Sequence, residues 1–135
     1  MAFLDEIKDR LVAQGVGVYG TSIFLGAKAV IPAGAGPYLT LVDTGGSGSV
    51  KTHNNSSIER PTAQLCARAT DYATAKAFLI AALAALGGQS GLFNVLLGTT
   101  WYLSITARQN PTDIGLDEAG RAMLVVNIDA EKQPS

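Results

Sequence analysis

The stretch Gly45-Gly-Ser-Gly-Ser-Val50-Lys51-Thr52 comes after an alternating segment and ends in Lys-Thr, close to the spacing of a loop that cradles nucleotide phosphates. In such a loop, glycines let successive backbone N–H groups converge on phosphate oxygens, and the lysine neutralises their charge. Here Val50 stands where glycine is required, and a β-branched residue resists that backbone geometry. A helix must also begin at once, so that its N-terminus supports the anion. The next residues, His53-Asn-Asn-Ser-Ser-Ile-Glu-Arg-Pro61, make a poor helix start. The segment therefore reads as a Gly/Ser loop. Binding of a nucleotide or small ligand through residues 45–52 remains as the alternative from a different functional class.

No other grouping assembles a reaction centre. His53 is the single histidine, which excludes a multi-histidine metal site within one chain. Cys66 is the single cysteine; it excludes an intrachain disulfide, suits a reducing compartment and reads as a small packing residue. No G-x-S-x-G elbow occurs. Asp113, Asp117 and Glu118 lie near one another, but acidic residues are common in turns because they bond their own backbone there. The expectation is a chain without catalytic residues, metal or cofactor: not an enzyme.

The elements that would carry these residues are legible from periodicity. Phe3 to Gln14 spaces Phe3, Leu4, Ile7, Leu11 and Val12 on one helical face, and Gly15 and Gly17 end it. A short strand is expected near Ser22–Leu25, and a firmer one over Tyr38–Val42. Thr44 to Ser57 reads as a long flexible loop. Thr62–Ala69 alternates, with Ala63, Leu65, Ala67 and Ala69 on one face and Gln64, Cys66 and Arg68 on the other. Thr70 or Asp71 then caps a helix over Tyr72–Leu86, ended by Gly87-Gly88.

Phe93–Leu97 and Trp101–Arg108 form a hairpin through Gly98-Thr-Thr100, with Leu103, Ile105 and Ala107 expected on one face. A linker broken at Pro111, Gly115 and Asp117–Gly120 leads to a last strand, Ala122–Asp129, before a short disordered tail over residues 130–135. The order α-β-β-β-α-β-β-β indicates an α+β fold. Two helices on one face of a mainly antiparallel, mixed sheet of about 4–6 strands is its economical form.

The chain's 135 residues suffice for one domain with a real core. Charged residues make up only 16%, which points to some surface buried against copies or partners. A net charge of −1 with dispersed Lys and Arg argues against a dedicated nucleic-acid binder. The longest apolar run, Ala77–Leu86, is about half a bilayer span, and the N-terminus lacks the basic start and apolar core of a signal peptide. The expectation is a soluble protein made in a cytoplasm.

Two blocks carry a family resemblance. One is Gln109-Asn-Pro-Thr-Asp-Ile-Gly-Leu-Asp-Glu-Ala-Gly-Arg121 between alternating strands; the other is Glu59-Arg60-Pro61 with Gln64, Arg68, Tyr72 and Ala75 after it. In this order they resemble phage proteins labelled minor capsid proteins, which are similar to the tail terminators of long-tailed bacteriophages. The resemblance spans Phe3 to Asp129 and departs most at Thr44–Ser57. It implies a virion protein of the tail-neck region, assembled in the host cytoplasm as a hexameric ring. That ring would cap the tail tube, stop its polymerisation and offer a surface to the head-closure or neck protein, while DNA passes its lumen without specific binding. A head-closure connector is the alternative within the same class.

On that reading Glu59, Arg60, Gln64, Arg68, Arg108, Asp117, Glu118 and Arg121 are expected at ring or partner contacts. For Gln64 and Arg68 an ordinary solvated strand face is an equal alternative. Gly45, Gly46, Ser47, Gly48, Lys51 and His53 are expected on a lumen or axial loop.

Overall fold

The last strand organises the molecule. The computed structural model describes residues 3–26, 31–32, 34, 36–45, 47–51 and 57–133. Along the chain run α1 (Phe3–Ala13), β1 (Ile23–Leu25), β2 (Tyr38–Asp43), β3 (Ser47–Lys51), β4 (Ser57–Arg60) and β5 (Thr62–Ala69). Then come α2 (Tyr72–Ala85), a 3-10 turn at Gly88–Ser90, β6 (Leu92–Leu97), β7 (Thr100–Ala107), β8 (Thr112–Leu116) and β9 (Ala122–Lys132).

Strand β9 pairs antiparallel with β5 over Ala122–Asp129 on one side. Its other side is shared by β8, over Ala122–Val125, and β7, over Ile128–Lys132. Between those two partners the ladder is bridged at Asn127, whose carbonyl accepts from Arg108 N and whose N–H donates to the Gln109 side-chain oxygen. Beyond β5 lie β2, antiparallel, and β1, parallel, which makes the sheet mixed.

Because directly opposed residues share a face, Leu39, Leu41, Leu65, Ala67, Leu124, Val126 and Ile128 form one apolar surface, and all are buried. Both helices cover it. Ile7 and Leu11 of α1 and Ala75, Leu79, Ala82 and Leu83 of α2 complete the core. The helices are tied at their ends: Arg10 Nε donates to the Ala85 carbonyl at 2.9 Å, satisfying one of the orphan acceptors at the C-terminus of α2. Helix α2 ends on Gly87 at φ 92°, a left-handed backbone that glycine adopts without a Cβ penalty.

The α+β class and the helix-covered, mainly antiparallel sheet are as expected, but the sheet has nine strands rather than four to six. Three of the differences come from strand pairing that the residue types do not signal. Within the expected 44–57 loop, Ser47–Lys51 is a strand, β3, paired antiparallel with β4 in a register that runs from Ser47↔Arg60 to Lys51↔Ser57. The 109–121 linker contains β8, which has little burial of its own and is held by the β9 ladder through a bulge between Asp113 and Gly115. The expected tail at 130–135 is ordered strand as far as Lys132, paired with β7 and β4.

A fourth difference lies within β7. The register shifts between Tyr102 and Ser104, so Tyr102 turns into the core and Leu103, expected inside with Ile105 and Ala107, is exposed.

Candidate functional site

The residues singled out by sequence fall into three separate places. Arg68, Asp117 and Arg121 come together. Asp117 closes the turn into β9: its Oδ1 accepts from the N–H groups of Ala119 and Arg121 at 3.0 and 2.8 Å, and its Oδ2 from Arg121 Nε at 2.8 Å. Arg68 Nη1 approaches the same Oδ2 at 3.5 Å. The Arg121 guanidinium also donates to the carbonyls of Pro32 and Gly34, at 2.6 and 3.1 Å, and lies 5.5 Å from the centre of the Tyr38 ring.

Burial pushes the Asp117 carboxyl up. The Arg121 backbone N–H, the Arg121 guanidinium and the Ala119 N–H outweigh it and hold the group below the usual carboxylate range. Arg121 and Asp117 thus knit the β8–β9 turn to the segment before β2. Glu118 and Ala119 remain exposed at the turn and rim an open groove of about 640 Å³ that Arg68 also lines. The carboxylate expected in an acidic cluster, Asp117, is committed to arginine. Asp113 Oδ1 instead accepts from Gly115 N at 2.8 Å, within the bulge.

A second group lies around the far end of β9. Arg108 forms a two-point ion pair with Asp129, both well exposed. Glu59 pairs with Lys132 at 3.2 Å, and Arg60 stands exposed beside them. Gln64 and Arg68 project from the sheet face away from the helices and are half-buried rather than fully solvated. Cys66 between them is buried, and burial raises its thiol pKa.

The third place is the β3–β4 hairpin. Gly45 precedes it at φ 90°, its N–H bonded to Asp43 Oδ1 at 2.7 Å. Ser47, Gly48 and Lys51 lie in β3; Gly46 and His53 lie outside the described residues. An extended strand aligns its N–H groups with a neighbouring ladder and does not converge them on a phosphate. The phosphate-loop alternative therefore has no geometric support at residues 47–51.

Sequence reasoning missed an apolar cluster on the surface. On the sheet face opposite the helices, Phe93, Leu96, Trp101 and Leu103 are 61, 49, 48 and 40% exposed. Phe93 and Leu96 face outward beside Ser104 and Trp101 in the β6–β7 ladder, and β6 has no further strand on its outer edge among the described residues. The cue was the β7 bulge, which the alternation of the sequence does not reveal. On the helix side, Ile80 is 48% exposed beside a groove of about 460 Å³ between α2 and Asn110-Pro111.

No cluster that could hold a metal ion occurs among the described residues. The family described as bacteriophage tail terminator protein matches residues 10–134. The chain belongs to the bacteriophage tail terminator family.

As a member of that family it is a structural, tail-related protein of the virion. Among solved structures, a chain in the virion of a native gene transfer agent particle shares its fold, with a TM-score of 0.57 at 17% identity, covering 98% of this chain and 96% of that one. No curated protein matches it.

Proposed function

We propose that this tail terminator closes into a ring, hexameric as the family resemblance implies, that seats on the last ring of the tail tube, ends its polymerisation and presents its other face to the neck. The family match over residues 10–134 carries this reading. The fold supports it: a two-layer domain with different apolar surfaces on its two sides suits the repeated head-to-tail contact that closes a ring when the rotation divides a full turn. A near-neutral chain with dispersed basic residues also suits a lumen through which DNA slides without being held.

The segment with Gly45, Gly46, Ser47, Gly48, Lys51 and His53 is placed at the lumen or an axial face. Arg60, Glu59, Arg108 and Glu118 are placed at the polar rim of partner contacts. Arg68 joins them through the groove it shares with Glu118. Growth stops because one ring face resembles a tube subunit while the other does not template the next ring.

The test is to add the purified chain to polymerising tube protein. Capping gives tubes whose length falls as its concentration rises, with the chain at one end only. Tubes of unchanged length with the chain absent from their ends contradict the reading.

A further inference from the structure

The outward face of β6–β7 and the groove beside α2 lie on opposite sides of the same subunit, and they are unlike each other. Phe93, Leu96, Trp101 and Leu103 form the exposed apolar face. The groove of about 460 Å³ is lined by Ile80, Leu83, Ala84 and Pro111, with Lys76 at its margin. We propose that these two surfaces are the halves of one contact: the β6–β7 face of one copy seats in the α2 groove of the next. This inference rests on the ring reading and names the surfaces that would close it.

Three observations favour a second copy as the occupant. The first is area. The four side chains leave roughly 400 Å² of apolar surface open, taking large side chains at about 150–250 Å² each. A stable interface needs about 800 Å² on each partner, a little over half of it apolar. The patch therefore supplies most of the apolar half and leaves the remainder to a polar rim. The second is charge. Glu131 lies opposite Ser104, which lies opposite Phe93, so Glu131 borders the apolar face, whereas the groove's charged residue is Lys76. One copy's rim thus complements the other's. The third is residue type. Tryptophan is enriched among the residues that anchor interfaces in well-packed pockets, and Trp101 stands exposed on this face.

Because the two surfaces differ and face away from each other, the contact is heterologous. It propagates from copy to copy, where a self-complementary patch would stop at a dimer.

The test uses phage particles carrying Ala84→Cys, Leu96→Cys or both, treated with a short bis-maleimide. Native Cys66 is buried, and the unaltered chain serves as its control. The double variant is expected to give a ladder of covalent multimers and each single variant only monomer. Dimers from Leu96→Cys alone, or no cross-link from the double variant in particles that contain the chain, overturn the proposal.

A second measurement is independent of cysteine. Glu131→Lys is expected to lower incorporation into particles at least tenfold, and Lys76→Glu added to it to restore incorporation. Equal incorporation of all three chains overturns the pairing. A failed ladder in particles with tails of normal length removes this contact and leaves the capping role standing.

Discussion

Tyr102 Oη donates to Glu6 Oε1 at 2.6 Å inside the core, joining residues 96 positions apart. The bond fastens α1 to β7, and both side chains are almost fully buried. Burial, then the bond to Glu6, raises the tyrosine's pKa, so the hydroxyl keeps its proton and remains a donor. Glu6 Oε2 has no hydrogen-bond partner among the described residues, so Tyr102 is the group that offsets the burial of this carboxyl.

Tyr102→Phe leaves that carboxyl unmatched. The variant is expected to lose about 1–3 kcal/mol, read from urea denaturation. Combining it with Glu6→Met removes both polar groups and is expected to recover most of the loss. Equal stability of Tyr102→Phe and the parent would show that the bond contributes nothing.

Arg121 ends in four acceptor contacts within the chain, counting both Asp117 oxygens through its backbone and side chain and the carbonyls of Pro32 and Gly34. Arg121→Met is expected to cost about 3 kcal/mol, because it removes the nearest guanidinium from a largely buried carboxylate and leaves the Pro32 and Gly34 carbonyls without their donor. Arg121→Lys should recover little, since one ammonium cannot reproduce the forked geometry. Thermal and urea denaturation of the two variants decide this.

The lowered pKa of Asp117 sets an acid limit. A group held lower in the fold than in the unfolded chain stabilises fully above its ordinary value, 3.8, and that contribution is lost as the pH falls through the depressed folded value. Stability should therefore decline below about pH 4. Asp117→Asn should be less stable at neutral pH and flatter in that acid range. A variant that tracks the parent from pH 7 to pH 2 would contradict this.

At Gly87 a Cβ would lie 2.3 Å from the Gly91 carbonyl, at a backbone φ of 92°. Gly87→Ala is expected to cost more than about 1 kcal/mol, and to do so by loosening the junction between α2 and β6. Hydrogen exchange at Leu86–Leu92 reads this directly: faster exchange confined to that junction is expected, and unchanged protection contradicts it.

The elements written in local periodicity were legible. Strand β5 occupies the expected Thr62–Ala69, and α2 the expected Tyr72 start, because both carry a strong apolar pattern bounded by clear breakers. Strands β3, β4 and β8 were not, since their Gly, Ser and Asp residues carry no apolar alternation and take their extended form from the strand they pair with, β3 from β4 and β8 from β9. Of the site, only the presence of Asp117 and Arg121 in one turn block was legible. Their inward commitment was not, because it depends on Pro32 and Gly34. The apolar face around Trp101 stayed hidden for a different reason: a single bulged residue at Leu103 reverses which side chains face the core.

The most direct test of the capping role is electron microscopy of particles from a phage encoding this chain with its gene interrupted, beside the intact phage. The capping account predicts overlong tails without heads. Tails of normal length, whether detached from filled heads or joined to them, would contradict it.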